Sequence, residues 1–447
     1  MEGLHNLKDR ICDFENLMCA YREAAKGKRY RTEVIYFRLN LCDNIQSIRE
    51  DLLNETYKVG AYREFYVRYP KPRLVMALTF RDRVVQWAIY RQLNPYVDNR
   101  FIEQSYGCRQ DKGTLAAAEK LLYWMRMIDR KPDASDYYII KGDVSKFFYR
   151  VDHEEVLRQY GVISDDKWFS WLMGTIINNP DVPFGLPKGV RPENCPREKR
   201  IFEVGMPIGN LTSQETANVY LDALDQFVKH VLHVHCYVRY MDDFMLIVKG
   251  KDVANDYFAQ IEEFLTIMLK LDISPKSRIQ KATDPIEFVG YIVTPAGLRL
   301  RKKTRNHAKR SINSIKEQYE SFQLEYDKAL EKAGSYRGLC KHVNAHSLEA
   351  WIDGRILEME KIEENRFYEI RQMPDGTADV YLYPDGLPWM GEPGVVRILV
   401  IRGVVVFENM EEDIRLRYGA WCASAEPVVT IPEPCGQKGP EDVRNYA

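Results

Sequence analysis

Two aspartates side by side between apolar runs are the residues of this sequence best suited to chemistry. Val238-Arg-Tyr-Met-Asp-Asp-Phe-Met-Leu-Ile-Val248 holds Asp242 and Asp243 in that setting. Neighbours on a strand face opposite ways. Both acids can serve one site only where the chain turns, so the pattern predicts a hairpin with the pair at its bend. Tyr137-Tyr-Ile-Ile-Lys-Gly-Asp143 is a second apolar strand that runs into an acid. Two carboxylates about 4 Å apart repel by about 4 kcal/mol at an effective dielectric near 20, a cost that a divalent cation relieves. Three of them on neighbouring strands would hold two Mg²⁺ about 3.5–4 Å apart, the geometry of in-line phosphoryl displacement. A solvated turn is the alternative for an Asp-Asp pair, and the apolar flanks argue against it.

The elements that must position these acids are mixed α and β. Apolar spacing predicts helices over 4–25, 33–53, 81–97, 114–130, 165–179, 213–232 and 253–270. Residues 61–79 read as two strands broken at Pro70 and Pro72, and 287–301 as strand–turn–strand. From 303 to 365 the chain is helical in pattern and rich in Lys, Arg and Glu. The last 81 residues differ in kind. They hold 13 acidic and 7 basic residues, 8 Pro and 8 Gly, with β-branched runs at 379–383 and 395–407 bounded by turn residues. That reads as a small acidic β module.

The 447 residues carry 64 Lys+Arg against 65 Asp+Glu, a net charge of −1, which excludes a histone-like basic chain and an acidic disordered one. The first 366 residues are net basic, so a local basic stripe remains open. No run of 18 apolar residues reads as a membrane span. The opening MEGLHNLKDR does not read as a secretory signal. The nine cysteines are scattered without CxxC pairs, which predicts a reduced, cytoplasmic chain without structural zinc.

Tyr240-Met-Asp-Asp243 resembles the metal-binding turn of reverse transcriptases, and six further segments follow in that family's order. Lys71-Pro-Arg73 with Phe80-Arg-Asp-Arg-Val-Val-Gln86 is similar to the fingers, and Ser105-Tyr-Gly-Cys-Arg-Gln-Asp-Lys-Gly-Thr114 to the template-side block. Gly142-Asp-Val-Ser-Lys-Phe-Phe148 and Gly205-Met-Pro-Ile-Gly-Asn-Leu-Thr-Ser-Gln214 resemble the first two palm blocks. Pro275-Lys-Ser277 and Glu287-Phe-Val-Gly-Tyr291 resemble the last two. Ordered matching is more specific than any one tetrapeptide. Within the family, Ile208-Gly-Asn-Leu-Thr-Ser-Gln214 is most like the enzymes of diversity-generating retroelements.

The resemblance implies an α+β right-hand polymerase with interleaved fingers (about 1–136) and palm with an antiparallel sheet (about 137–297). A helical thumb (298–366) and the small β-rich module (367–447) would follow. Asp143, Asp242 and Asp243 would bind two Mg²⁺, with Mn²⁺ a possible substitute and the Val144 carbonyl a further ligand. Lys71 and Arg73 would grip the triphosphate, with a solvated loop as the alternative. Phe148 would be the steric gate against a ribose 2′-hydroxyl; the alternative is that Phe147 and Phe148 are both core, period-2 alternation allowing one of them inward. Gly205 and Gly209 would leave room for the nucleotide, and Ile208 would touch the incoming base pair. Lys276 would protonate pyrophosphate, or is simply a surface lysine. Arg109 and Lys112, ahead of a helix N-terminus, would meet the template. Gly290 and Tyr291, in the hairpin similar to the primer grip, and Arg301, Lys302 and Lys303 would meet the primer duplex.

The implied activity is RNA-directed DNA synthesis, with an RNA template, a DNA or RNA primer and dNTPs as partners, a small basic accessory protein as an optional one, and no membrane. A defence-associated bacterial reverse transcriptase is the runner-up, and a non-catalytic RNA-binding cofactor that keeps the fold is a different class. A neighbouring template/variable repeat pair would separate the first two, and intact Asp143, Asp242 and Asp243 argue against the third. Most other reverse transcriptases carry Gln where this chain has Ile208, so an ordering hydrogen bond is missing and base discrimination is expected to weaken, above all opposite template adenine. Single-nucleotide incorporation kinetics check this: Ile208→Gln is expected to lower misincorporation, and equal error in both proteins would remove the argument.

Overall fold

The computed structural model describes residues 4–67, 73–321 and 323–364, together with the backbone of four C-terminal strands. The chain divides into two compact units, Met1–Leu298 and Arg299–Ala447, each described by itself.

The first unit opens with helices α1 (Leu7–Ile11), α2 (Phe14–Ala25), α3 (Thr32–Leu39) and α4 (Leu41–Leu53). The sequence predicted two helices here, and each is broken once. Asp13 accepts the Asn16 N–H at 2.9 Å and caps α2, so the chain restarts there rather than running on. At Asn40 the break is sealed by Asn44, whose side-chain amide donates to the Phe37 carbonyl at 2.9 Å. An antiparallel pair, β1 (Arg63–Val67) and β2 (Arg73–Ala77), follows and leads into α5 (Phe80–Arg100) and α6 (Thr114–Asp129). Asp82 ties the start of α5 to the preceding chain, accepting from Tyr57 Oη at 2.8 Å, Gly60 N at 3.0 Å and Thr79 Oγ at 2.6 Å.

The centre is a four-stranded antiparallel sheet in the order β4–β5–β3–β6. Its strands are β3 (Tyr137–Asp143), β4 (Cys236–Tyr240), β5 (Asp243–Lys249) and β6 (Arg278–Lys281). Helices α7 (His153–Ile163), α8 (Lys167–Ile177) and α9 (Leu211–Gln226) lie in the chain between β3 and β4, and α10 (Lys251–Met268) between β5 and β6. Phe244 to Val248 are all buried. Because successive residues face opposite ways, both faces of β5 are covered, which is why this strand reads as an unbroken apolar run. Helix α10 packs on β3 and β5, and α6 on β4. One continuous core runs from Leu4 through α2, α5 and the sheet to Leu271. A smaller cluster, built on Leu74, Met76, Tyr149 and Phe184, lies beside β2.

Residues 286–300 form three short strands rather than the two expected: β7 (Ile286–Phe288), β8 (Tyr291–Thr294) and β9 (Gly297–Leu300). The extra turn is Val289-Gly290. Both residues have positive φ (41° and 99°) and Phe288 pairs with Tyr291, the backbone that a two-residue hairpin loop with right-handed strand twist demands. The second unit holds helices α11 (Lys302–Glu320), α12 (Tyr326–Cys340) and α13 (His346–Glu364). Its four strands, β10 (Phe367–Gln372), β11 (Ala378–Tyr383), β12 (Val395–Ile401) and β13 (Val404–Glu408), pair antiparallel in sequence order.

The central sheet has one tight fit. Gly142 pairs with Phe244, and a Cβ on Gly142 would stand 2.0–2.5 Å from that ring. Gly142→Ala is therefore expected to cost at least the roughly 1–3 kcal/mol typical of overpacking. Urea unfolding checks this, and combining it with Phe244→Leu is expected to cost less than the sum of the two single changes.

Candidate active site

The β4–β5 hairpin closes with Tyr240 opposite Asp243, leaving a two-residue loop, Met241-Asp242. Met241 takes φ +54°, the left-handed region. Across the sheet, Asp143 at the end of β3 pairs with Asp243 at the start of β5. Residues directly opposite in an antiparallel ladder share a face, so these two side chains leave the sheet on the same side. The Val144 N–H donates to the Asp242 carbonyl at 3.2 Å, holding the loop against the end of β3. The Asp143 carbonyl accepts from Ser274 N at 2.7 Å, and the Asp143 N–H donates to Ser277 Oγ at 3.1 Å.

The three acids feel one another. Burial first, then the charges of Asp243 and Asp143, push the Asp242 carboxyl up to about 6, while Arg73 pulls the other way. Among the described residues no three His, Cys, Asp or Glu side chains stand converged as a metal-ligand set. The donors fit a divalent cation in kind: hard carboxylate oxygens from three adjoining positions, with mutual repulsion that a cation would relieve.

The loop is held from behind by Arg239, a residue that sequence reasoning missed. Arg239 and Asp225 are both fully buried and pair through Nη2 at 2.6 Å and Nε at 2.7 Å. The remaining donors reach the Met241 carbonyl at 3.1 Å, Asn218 Oδ1 at 3.3 Å and Ser105 Oγ at 3.1 Å. Asn218 in turn donates to the Gly107 carbonyl at 2.7 Å. Gly107 lies against the loop so closely that a Cβ there would stand 2.6 Å from Met241 Sδ and 2.7 Å from Met241 N. Lys141 was missed as well. It lies two residues before Asp143 on the same strand face, half-buried, and donates to the Glu287 carbonyl at 2.7 Å. Burial lowers its ammonium, against the charges of Asp243, Glu287 and Asp143.

Of the residues expected at the nucleotide, Arg73 opens β2, exposed and close enough for its charge to act on Asp242. Lys71 lies outside the described residues. Phe147 and Phe148 do not alternate on a strand, because β3 ends at Asp143 and they sit in a short 3₁₀ turn. Phe147 is buried, while Phe148 is half-buried and shares the cluster beside β2 with Ile208. Gly205 and Gly209 also lie close against the chain itself. Added Cβ atoms would meet Gly185 N at 2.8 Å and Val75 Cγ1 at 3.1 Å, respectively. The Ile208 carbonyl accepts from Met76 N at 3.2 Å, which fixes this segment to β2. Lys276 is exposed in the turn before β6, next to Ser277, the residue that receives the Asp143 N–H.

The reverse transcriptase (RNA-dependent DNA polymerase) family matches residues 68–293, just over half of the chain and the whole of this site. The chain belongs to that family. It is an RNA-directed DNA polymerase, and membership implies the right-hand polymerase fold, with which the antiparallel central sheet and its helices are consistent. It is also similar to protein YkfC of Escherichia coli K12, 23% identical over 316 residues that cover 62% of this chain and 76% of YkfC. The group II intron-encoded protein LtrA of Lactococcus lactis is 22% identical over 337 residues, 61% of this chain and 53% of LtrA. The chain thus spans about half the length of LtrA. Reverse transcriptases generally use divalent metal ions and bind an RNA template and primer. No helix among the described residues is long and apolar enough to cross a membrane.

The residues expected along the template and primer fare unevenly in this polymerase. The five N–H donors of Arg109 all go to Asp98 and to the carbonyls of Asp98, Ile102 and Ser105, at 2.6–3.2 Å, so a phosphate would have to displace one of these bonds. Lys112 donates to the Glu103 carbonyl at 2.7 Å and keeps two donors, one residue before Gly113 at the N-terminus of α6. Gly290 lies in the β7–β8 turn described above, and Tyr291 opens β8. Arg301 precedes α11, and Lys302 and Lys303 are exposed in its first turn, which holds no acid.

The Arg239–Asp225 pair generates a direct test. Arg239→Met leaves Asp225 buried without its opposite charge, with Tyr237 Oη still donating to it at 2.7 Å, and is expected to cost about 3–5 kcal/mol in urea unfolding. Adding Asp225→Leu is expected to restore much of that stability but not primer extension, because the Met241 carbonyl has still lost its donor.

Proposed function

We propose that the chain copies RNA into DNA at the Asp143–Asp242–Asp243 cluster. The single observation that carries this is the register: Asp143 faces Asp243 across the ladder, with Asp242 in the adjoining loop. Asp143, Asp242, Asp243 and the Val144 carbonyl would hold two Mg²⁺, or Mn²⁺ in their place, which when bound supply the charge that activates a primer 3′-hydroxyl and neutralises the departing pyrophosphate. Arg73, with Lys71, binds the triphosphate, Arg73 through its fork of donors. Phe148 presents its half-exposed ring to the sugar of the incoming dNTP, and Ile208, on the same apolar cluster, borders the base pair. Lys276 delivers a proton to pyrophosphate from the turn beside Asp143. Gly209, beside β2, leaves room for the backbone to approach the nucleotide. Lys112 meets the template strand, and Gly290, Tyr291, Arg301, Lys302 and Lys303 meet the primer duplex. Fingers over about 1–136, palm over 137–297 and thumb over 298–366 follow from the same reading.

The biological setting we infer is a bacterial retroelement of the diversity-generating type, supported by Ile208-Gly-Asn-Leu-Thr-Ser-Gln214. A defence role and an intron-borne role, the latter suggested by LtrA's own name, are the competing settings. A template/variable repeat pair beside the gene would support the first.

Primer extension on poly(rA)/oligo(dT) tests the activity. The full chain is expected to extend with Mg²⁺ and to stop when the metal is chelated. Asp242→Ala is expected to lose more than the roughly 10–100-fold typical of outer-shell partners of a metal. Undiminished extension by that variant would exclude this site.

A further inference from the structure

Helix α9 carries a carboxyl that the polymerase chemistry does not use. Glu215 is 5% exposed, yet neither carboxylate oxygen has a hydrogen-bond partner. It borders a cavity of about 150 Å³ between α5, the 101–109 segment and α9. The polar neighbours do not satisfy it. Arg109 lines the cavity with every donor already spent, and Asn218 is engaged with the Gly107 carbonyl and Arg239. Burial pushes the Glu215 carboxyl up to about 8, so without a ligand the group is largely protonated at neutral pH. A group held this way gains from any ligand that brings donors to it.

We propose that this cavity takes one unpaired base of the RNA, read by Glu215 through a ring edge with two adjacent N–H donors, as guanine has. The inference rests on the polymerase reading above for the presence of RNA. A ligand that brings two parallel N–H donors displaces the Glu215 proton to solvent and meets a carboxylate with two parallel acceptors, the geometry that makes bidentate carboxylate contacts strong. The guanine edge offers N1–H and the N2 amine side by side, whereas adenine offers one donor beside an acceptor and uracil one donor between two acceptors. Tyr90 and Phe101 supply aromatic wall, the surface on which unpaired RNA bases are commonly held. Cys108 and Gln214 are exposed and border the cavity, which gives it an opening to solvent. Position agrees with use. Cys108 follows Gly107, which abuts Met241 of the catalytic loop, so a base held here would sit beside the turn that bears Asp242.

Fluorescence anisotropy with the full-length protein tests this, without dNTPs or divalent metal, so that its outcome is independent of whether primer extension succeeds. The probes are labelled 12-nucleotide oligouridylates with one central guanosine, inosine (which lacks the N2 amine) or adenosine. Wild type is expected to bind the guanosine strand about 10-fold tighter than the adenosine strand, with inosine between them. Glu215→Gln, which keeps the shape but replaces one acceptor with a donor, is expected to bring the three within about 2-fold while binding plain oligouridylate as before. Equal affinities in wild type would overturn the proposal whatever the variant does. Retained guanosine preference in Glu215→Gln would overturn it too. So would free argininamide filling the site while guanosine fails, which would reassign the cavity to a cationic side chain of a protein partner.

Discussion

A buried ion pair holds the catalytic loop where it is. Arg239 spends its five N–H groups on Asp225, Asn218, Ser105 and the Met241 carbonyl, and every one of those partners belongs to a different stretch of chain or a different turn of α9. Its own backbone completes the tie, donating to the Gln104 carbonyl at 3.0 Å and accepting from Tyr106 N at 2.8 Å. A charge in this position is expensive to desolvate, and it persists because each donor has an acceptor and the opposite charge lies at 2.6 Å. An apolar residue of similar volume could fill the space. It could not reach the loop carbonyl, so what the arginine contributes is position more than stability.

The site itself is then a matter of strand register. Asp143 and Asp243 oppose each other because β3 and β5 pair as they do, and a slip of one residue would send one acid to the other face. Phe244 in the space left by Gly142 fixes that register one rung away. The continuous apolar character of β5 leaves alternation weak, so a steric device at a defined position does what a polar/apolar pattern does in sheets with one wet face. The Ser277 hydroxyl and the Ser274 amide then hold the end of β3, and Lys141 links it to the β7–β8 hairpin.

Much of this was legible in the residues. Apolar runs ending in acids marked the strands and the bend, because burial on both faces leaves few polar residues to confuse the reading. Helix positions were legible from spacing, but their ends were not: Asp13 starts one helix and Asn44 seals the end of another through side-chain hydrogen bonds that periodicity does not register. Partners distant in sequence were invisible. Arg109 looks like a phosphate ligand until Asp98 is seen beside it, and Arg239 looks like a surface strand residue until Asp225 is. The close approach of Gly205 to Gly185 was likewise invisible in the sequence. In each case the sequence shows the chemical capacity of a side chain, and only the fold shows whether that capacity is already taken.

The contact between Gly107 and Met241 binds the history of two loops together. Met241 fills space that exists only because position 107 has no side chain, and it does so in a backbone conformation that most residues avoid. A side chain at 107 would strike the backbone nitrogen of residue 241 as well as the methionine sulfur, so trimming residue 241 alone does not make room for it and the loop itself would have to move. A chimera that borrows one of the two loops from a distant cousin would inherit a collision beneath its own catalytic turn.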